Sequence, residues 1–368
     1  MLDVAVIGGG PAGAALAAHL ARAGRAVAVL EKSAFPRAKV CGEFIASAGA
    51  RMLEQLQVVP DIEMRRIALW AGESCSGAPL APGARALARE ELDTLLLQNA
   101  ARAGARVYQP AKALAVERVE RSVFQIRGSG GIELEARAVV AAHGSWEAGA
   151  LPTQRRRRIP AESDLFGIKA HFRRHGVPPG TVALAPFAGG YAGALAIDEG
   201  VATFACAVRR GVLREMRRRH PGSSAGDALF HHALGASRAL DDAFRCAVRA
   251  APWLAVGPLQ PGARPALRDG ILSVGNAAGE VHPIVGEGIT LALGSALALA
   301  GPLLQALQSG TDPAYAAHAY RRRHYGLLRR QLWRSACLAA LAMHPLASAC
   351  ARRALARMPS LLALSARA

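Results

Sequence analysis

The chain has 368 residues, 52% of them hydrophobic and 20% charged, which excludes a disordered or collagen-like protein. The length suits two or three ordinary domains, or one large enzyme whose segments interleave. The formal net charge is +18, and arginine carries almost all of it because only four lysines occur. Aromatic residues make up 5% of the chain, and no zinc-finger or basic-zipper signature is found, so we predict no nucleic-acid partner. An anionic membrane surface or a carrier protein fits the charge better.

The cysteines and the first residues of the chain indicate the cellular compartment in which the protein folds. The six cysteines form no CxxC pair, so we predict neither a metal site nor a disulfide framework, and a reducing compartment. The chain opens on an apolar strand with no basic segment before it, so we expect no signal peptide and a cytoplasmic protein, either free or peripheral to the inner membrane face. Residues 288–311 are uncharged and long enough to span a bilayer. Because they contain glycine and proline and directly follow a loop motif, we interpret them as a buried helix.

The first thirty residues predict a βαβ unit, with strands at 2–7 and 26–30 around a helix at 11–23. Helical patterns follow at about 47–57 and 89–104. Three short strands at 113–119, 123–127 and 132–136 then predict a meander with a glycine-rich turn at 128–131, and a buried strand returns at 138–142.

The pattern of hydrophobic and polar residues changes at residue 154. Alternating segments at 165–172, 181–185, 191–197 and 201–208 predict an antiparallel sheet, and 271–274 is again a short buried strand. We therefore predict an α/β fold whose second domain is α+β. A Rossmann-like domain comprises residues 1–153 plus 265–312, an antiparallel substrate domain comprises 154–264, and a helical region comprises 313–368.

A glycine motif opens the first helix. Gly8, Gly10 and Gly13 fit the pattern GxGxxG, which requires glycine where the turn is tight, where the backbone approaches a pyrophosphate and where helix meets strand. The amides of the following helix N-terminus favour a phosphate anion. Glu31 ends the second strand, where a carboxylate can accept both hydroxyl hydrogen bonds of an adenosine ribose. Either a nicotinamide or a flavin dinucleotide fits this unit.

Three further segments resemble motifs of one group of enzymes. Residues 274–289 contain VGNAAG, then His282 and Pro283, then GEGI, and are similar to the GDAAG…P…GxG segment of FAD enzymes with the para-hydroxybenzoate hydroxylase fold. Residues 89–93 (REELD) resemble the RxxLD helix start of that group. Residues 36–44 (PRAKVCGEF) resemble the P…K.CG loop of its geranylgeranyl reductase-like branch. The resemblance covers roughly residues 1–145 and 265–310.

The resemblance implies a site for FAD. Asn276 stands where the group has an aspartate that holds the ribityl chain, and the helix after it would face the pyrimidine edge of the flavin. Arg89 would lie near the ribityl and phosphate region, and Cys41 beside the flavin ring. The cofactor contacts that we predict are Gly8, Gly10, Pro11, Ala12, Gly13, Glu31, Lys32, Arg37, Cys41, Gly42, Arg89, Gly275, Asn276, Pro283, Gly286, Gly288 and Ile289.

Three residues are candidates for catalysis. Cys41 either shapes the pocket or donates a proton beside the flavin, or it packs a loop turn as a small residue. Glu43 either orients the substrate or pairs with Arg37, and we favour the pair. His282 is a candidate acid/base. Tyr191 lines the substrate face of the second sheet or belongs to its core.

By this resemblance we expect an FAD-dependent oxidoreductase with NAD(P)H as electron donor. Hydroxylation of a hydrophobic polyketide, prenyl or aromatic secondary metabolite, free or carrier-bound, is favoured. Reduction of an alkene by an enzyme of geranylgeranyl reductase type and a non-catalytic FAD-binding protein are the alternatives. His143 replaces the aspartate of the hydroxylase GADGxxS segment, and the WxWxIP segment of flavin halogenases is absent. The leucine- and arginine-rich tail predicts a helix that covers the site or a basic membrane anchor, and we favour the covering helix.

Overall fold

The computed structural model describes residues 1–120, 123–145, 148–156 and 158–344. Three residues of the predicted tail pattern, Leu346, Arg352 and Arg353, lie outside the described residues. The strands in chain order are β1 Leu2–Ile7, β2 Val27–Leu30, β3 Phe44–Ile45, β4 Ile62–Ala71, β5 Ser74–Ala86, β6 Arg106–Tyr108, β7 Ala113–Glu120, β8 Val123–Gly128, β9 Glu133–Ala141, β10 Leu165–Arg173, β11 Thr181–Phe187, β12 Gly190–Ala196, β13 Val201–Arg209, β14 Val248–Arg249, β15 Leu254–Leu259, β16 Gly262–Ala263, β17 Leu267–Arg268, β18 Ile271–Ser273 and β19 Gly279–Glu280. The helices are α1 Pro11–Arg22, α2 Ser47–Gln55, α3 Arg89–Arg102, α4 Arg210–Arg219, α5 Ala225–Gly235, α6 Arg238–Phe244, α7 Gly288–Gln308 and α8 Ala316–Met343.

The first sheet has the order β17-β18-β9-β1-β2-β6. β1 is parallel to both β2 and β9, and β18 from the far end of the chain pairs in parallel with β9. Apart from Asp3 near the start of β1, the strands β1 and β2 are hydrophobic and buried, as expected for strands covered on both faces. The meander β7-β8 attaches to β9 in antiparallel fashion. The predicted Rossmann-type sheet is confirmed, and residues 271–273 join it as β18.

The second sheet is larger than the segment 154–264 predicted for it. Its order is β14-β10-β13-β12-β11-β4-β5-β3, with β15 beside β10. β3, β4 and β5 come from residues 44–86, which the sequence analysis assigned to the first domain. β4 joins because it pairs in parallel with β11, from Thr181 opposite Arg66 to Leu184 opposite Leu69. This long-range pairing leaves no local signal in the sequence.

The two faces of the second sheet have different partners, because side chains alternate along each strand. On β10, Ile168, Ala170 and Phe172 point to the outer face and pack with residues of α4, α5 and α6. Lys169 and His171 point to the inner face, toward the first domain. The inner face therefore supplies one wall of the space between the two sheets.

Among the described residues, α7 is the one helix long and apolar enough to cross a membrane. It packs against α1, α2 and α8, and Leu293, Leu299 and Leu303 along it are fully buried in the main core. The interpretation of this segment as a buried helix agrees with its packing. α8 crosses from α7 to β11 and β12 of the second sheet.

Replacing Leu299 by alanine tests the burial of α7. The cavity left in a close-packed core should lower the free energy of unfolding by about 2 to 5 kcal/mol, measured by urea denaturation. Leu327→Ala, at an α8 leucine that is 48% exposed, is the matched control and should change it by less than about 1 kcal/mol. Equal effects of the two substitutions would contradict the packing described.

Candidate cofactor and substrate site

A cavity of about 850 Å³ lies between the carboxyl ends of the first sheet and the inner face of the second. Ile7, Leu30 and Ala142, which end or follow three parallel strands, form part of its floor. Ligands of open α/β sheets bind at this edge, and the volume is in the range of ligand pockets.

The three motif glycines have the three roles that the pattern requires. Gly8 has a φ of 109°, and a Cβ on it would lie 2.6 Å from the carbonyl oxygen of Ala142. A Cβ on Gly13 would lie 1.9 Å from the carbonyl oxygen of Gly8, so glycine is needed where α1 meets the turn. A Cβ on Gly10 would meet no atom within 4 Å, because Gly10 lines the cavity. The space beside Gly10 is where a dinucleotide pyrophosphate would approach the backbone.

Glu31 is fixed at the end of β2 by two backbone amides. Gly9 N donates to Oε2 at 2.8 Å, and Ser33 N donates to Oε1 at 3.0 Å. The side chain is buried and lines the cavity. Each carboxylate oxygen accepts more than one hydrogen bond, so Glu31 keeps capacity for the hydroxyls of a ribose.

Three cationic side chains, Arg37, Lys39 and Arg89, line the same groove. Burial, with the charges of Arg89 and Arg37 beside it, lowers the pKa of Lys39 to about 8. The Nε of Arg37 is buried and has no hydrogen-bond partner among the described residues. Crowded cations and an unsatisfied guanidinium N–H suit an anionic ligand. The groove thus fits the diphosphate of FAD.

Arg89 begins α3 and is buried, not exposed on the helix surface. Its Nε and Nη2 donate to the two carboxylate oxygens of Asp93, each at 2.8 Å. Burial opposes its charge, but the negative charge of Asp93 outweighs that effect and holds the pKa of Arg89 above its ordinary value. Cys41 is half-buried, lines the cavity and accepts a hydrogen bond from Glu43 N at 3.3 Å. The thiol of Cys41 and the guanidinium of Arg89 thus line the same cavity.

Glu43 joins the Cys41 loop to the second sheet. Its Oε1 accepts from the backbone N of Arg89 at 2.9 Å and from Lys169 Nζ. Its Oε2 accepts from His171 Nε2 at 2.8 Å and from Thr203 Oγ1. Lys169 is only 1% exposed. One carboxylate thus gathers donors from α3, β10 and β13, and we call these five residues the Glu43 cluster.

The expected pair of Glu43 with Arg37 is wrong. The guanidinium of Arg37 lies 3.8 Å from Glu31 and 3.9 Å from Asp93. The cation that forms an ion pair with Glu43 is Lys169. Burial works against ionisation of Glu43, but the His171 hydrogen bond and the Lys169 charge outweigh it and lower its pKa to about 2. Glu43 is therefore an ionised structural carboxylate at neutral pH, not a proton donor.

His282 has a different place from the one expected. Its side chain does not line the cavity, and its Nδ1 accepts from Ile284 N at 3.4 Å. Burial, together with the charge of Arg209, lowers the pKa of His282 to about 4, so the imidazole is neutral at pH 7. It packs beside Tyr191, with ring centroids 5.8 Å apart. His282 caps the turn before α7 and has no contact that would make it an acid or base for the cavity.

One group of possible metal ligands lies nearby, in which atoms of Glu43, Glu90 and His171 are all within 4.8 Å of one another. The Glu43 oxygens already accept from four donors, and one donor is the ammonium of Lys169. A second cation at these oxygens would be repelled by that charge. The geometry therefore favours the ion pair over a metal.

The opposite wall of the groove is also polar. Asn276 Nδ2 donates to Glu280 Oε1 at 3.4 Å, and Ser145 Oγ donates to Glu280 Oε2 at 2.8 Å. His143 lines the cavity, with its ring nitrogens 2.8 Å from Gly144 O and from Thr153 Oγ1. Asn276 therefore lies at the cavity with its amide fixed by a buried carboxylate.

The remaining half of the cavity is apolar. Its walls are small or aliphatic residues of the second sheet, including Val182, Leu184, Gly193, Leu195, Ala205, Ala207, Val256 and Leu259. A Cβ on Gly193 would meet only atoms 3.8 Å away. Leu338, Leu341 and Ala342 of α8 close this half, so the described part of the tail region forms a covering helix. Tyr191 lines the wall and is also buried.

The structure brings nearly all of the predicted site residues to one cavity. Seventeen of them line it: Gly8, Gly10, Pro11, Ala12, Glu31, Lys32, Arg37, Cys41, Gly42, Glu43, Arg89, Gly275, Asn276, Pro283, Gly286, Gly288 and Ile289. Gly13 and His282 do not line it. Lys39, Lys169, His171 and Thr203 belong to the site but were not among the predicted site residues. A lysine inside the apolar run LFGIKAHF was the available signal for Lys169, because a buried lysine requires a partner.

Comparison with known proteins agrees with this geometry. Residues 3–176 match the family described as lycopene cyclase protein. The menaquinone reductase of Mycobacterium tuberculosis is 36% identical over 153 residues, which are 39% of this chain and 38% of that protein. The alignment thus spans well under half the length of that relative.

Solved structures match over the whole chain. A flavin-dependent brominase superposes with a TM-score of 0.79 at 17% identity, covering 100% of this chain and 92% of that chain. PqsL of Pseudomonas aeruginosa, described as a probable FAD-dependent monooxygenase, superposes with a TM-score of 0.72 at 20% identity, covering 95% of this chain and 98% of that chain. The chain has the fold that these flavin-dependent proteins share. Within this flavoprotein fold, the glycine turn and the wall at Asn276 form the two sides of the cofactor groove.

A valine at Gly10 should block the cofactor without disturbing the fold. Gly10 has an ordinary φ of −70°, and its Cβ direction is open, so the branched side chain would fill the pyrophosphate space. We expect Gly10→Val to be purified colourless with the melting temperature of the FAD-free wild type, while Gly326→Val, at an exposed α8 glycine with open space, stays yellow. Full flavin occupancy in Gly10→Val would refute the assigned groove.

The pH dependence of stability should report the charge of Glu43. Its pKa is about 2 in the fold against an ordinary 4.5, so its stabilisation is fully present above pH 4.5 and is lost as the pH falls toward 2. The amount is on the order of 3 kcal/mol. Urea denaturation across this range should show the same loss in the wild type and in the exposed-site control Glu54→Gln, and a loss smaller by this amount in Glu43→Gln, where other paired carboxylates still titrate. Parallel profiles for all three proteins would contradict the role given to Glu43.

Proposed function

We propose that this protein is an FAD-dependent oxidoreductase that acts on a hydrophobic substrate. The observation that carries the proposal is the continuity of one cavity, in which the polar groove at Gly10 and Glu31 opens into the apolar half at Gly193 and Leu184. A bound FAD would occupy the polar groove, with the ring end toward Cys41. The substrate would then lie against the second sheet, beside the ring.

The chemistry of the apolar half supports a prenyl, polyketide or aromatic substrate. Its walls are methyl, methylene and glycine surfaces, which stabilise an apolar ligand by removing its surface from water. The hydroxyl of Tyr191 is buried without a partner among the described residues, and burial raises its pKa well above the ordinary value. Few groups at this wall would hydrogen-bond a polar metabolite.

Reduction of a carbon–carbon double bond is the reaction that the residues around Cys41 support best. Such a reaction needs a hydride and a proton, and FAD, when bound and reduced, would supply the hydride. The Cys41 thiol lines the cavity and would give its proton to the second carbon of the double bond. The Arg89 guanidinium, which lines the same cavity wall, would stabilise the negative charge left on sulfur. Solvent would then return the proton to Cys41.

Relatives give independent support for this choice. The menaquinone reductase match is above 30% identity, although it is confined to 153 residues. NAD(P)H is the proposed source of the electrons. No aspartate occupies the position of His143, so we assign no residue to its binding.

Hydroxylation with molecular oxygen is the second candidate. It is favoured by the closure of the apolar half by α8, since a cavity shielded from water protects a reactive oxygen species. The fold match to PqsL supports it as well. In that case Cys41 would be a wall of the pocket and not a proton donor.

The two reactions separate in one experiment on the FAD-loaded protein with NAD(P)H and geranylgeranyl substrates. We expect turnover without oxygen and a product with two added hydrogens, and we expect Cys41→Ala to lower kcat roughly a hundredfold by loss of the general acid. Cys246→Ala, at an exposed thiol, is the control and should keep full activity. Incorporation of labelled oxygen, with substantial activity in Cys41→Ala, would favour hydroxylation instead. FAD that NAD(P)H leaves oxidised with every substrate would favour a non-catalytic protein.

A further inference from the structure

The outward face of α8 carries large apolar side chains in solvent. Trp333 is 71% exposed and Leu341 is 45% exposed, and Cys337, between them on the same face, is exposed too. The opposite face packs inward through Leu328, Ala339 and other residues. Contiguous exposed apolar residues that include a tryptophan mark an interaction surface more often than a chance exposure.

The same helix is strongly basic. Its 28 residues include six arginines and no aspartate or glutamate. Arg322, Arg329 and Arg330 are exposed, and the described residues give them no ion-pair partner. At 100° per residue, Arg322, Arg329 and Trp333 fall on one stripe of the helix. The outward face of α8 therefore combines uncompensated positive charge with exposed apolar surface.

We propose that the outward face of α8 docks on an anionic lipid bilayer. Tryptophan sits stably at the headgroup level, where its ring is buried and its N–H stays in a polar layer. Arginines beside it attract anionic headgroups, and the attraction falls off within a Debye length. The proposal concerns this surface alone and holds whichever reaction the cavity performs.

The position of the cavity favours a bilayer over a protein partner. Leu341 lines the apolar half of the cavity and is also exposed at the surface, so the docking face adjoins the cavity wall. A lipophilic ligand could pass from acyl chains into the cavity along this side with little exposure to water. An acidic carrier protein would be complementary in charge to the arginines. It would leave the Trp333 ring and the Leu341 side chain in water, whereas the interior of a bilayer would bury them.

Sedimentation of the full-length, FAD-loaded protein with vesicles tests the proposal. One set of vesicles contains phosphatidylcholine alone, and the other contains equal amounts of phosphatidylcholine and phosphatidylglycerol. We expect binding to the anionic vesicles at least tenfold tighter than to the neutral ones. Raising NaCl from about 0.1 M to about 1 M, which shortens the Debye length from about 10 Å to about 3 Å, should release most of the protein.

Two variants test whether the vesicles bind at the outward face of α8. Arg329→Glu/Arg330→Glu and Trp333→Ala should each weaken binding to anionic vesicles by at least tenfold. Arg102→Glu/Arg217→Glu, with the same change in net charge on exposed residues of α3 and α4, is the matched control and should bind as the wild type does.

Three results would overturn the proposal. The wild type could fail to bind either vesicle set. The α8 variants and the control could bind equally well, which would place the contact elsewhere on the chain. An acidic acyl carrier protein could bind the wild type in a manner lost in Arg329→Glu/Arg330→Glu while the vesicles do not bind, which would make the face a protein-docking surface.

Discussion

The ion pair between Glu43 and Lys169 holds the two halves of the site together. A buried carboxylate with no partner would be protonated or would not stay buried, because removal of an ion from water costs several kcal/mol. Glu43 avoids this by accepting four hydrogen bonds, two of them from the side chains of Lys169 and His171 on β10. Glu43 itself sits in a left-handed backbone conformation with a φ of 61°, which the surrounding contacts must stabilise.

The placement of the cofactor groove follows from this pair. Glu43 binds the backbone N of Arg89 and gives its own N–H to Cys41, so the start of α3 and the Cys41 loop take their positions from one side chain. Arg89 in turn is oriented by Asp93. The cations that would meet a diphosphate and the thiol that would meet a substrate are thereby fixed before any ligand arrives. Preorganisation of this kind lowers the entropic cost of binding and reaction.

The sequence predicted the local features of the site well and the long-range ones poorly. Gly8, Gly10, Gly13 and Glu31 were found because one βαβ unit contains them, and their spacing follows from the backbone geometry of that unit. The contact between Glu43 and Lys169 joins residues 126 positions apart. It depends on the register of β10 beside β13, which no motif encodes. The pair expected between Glu43 and Arg37 was wrong for the same reason, since proximity in sequence was the only guide available.

The strands of the second sheet were likewise predictable from the sequence only where the pattern is local. The strands β10 to β13 were predicted from alternation within each segment. The inclusion of β4 in that sheet depends on a parallel pairing with β11, more than a hundred residues away. The apolar cavity exists because this pairing extends the sheet over the cofactor groove. Of the residues on its apolar wall, Tyr191 was therefore the one named before the fold was known.

The affinity of Lys169→Met for FAD tests the central claim most directly, because Lys169 does not line the cavity and reaches it through Glu43 and through a 3.5 Å hydrogen bond to the carbonyl oxygen of Lys39. Fluorescence titration should show FAD binding weakened about tenfold or more in Lys169→Met, equivalent to about 1.4 kcal/mol. The substitution should have little further effect when Glu43→Gln is already present, since the two residues act as one unit. An FAD dissociation constant unchanged in folded Lys169→Met would contradict the role of the Glu43 cluster in forming the groove.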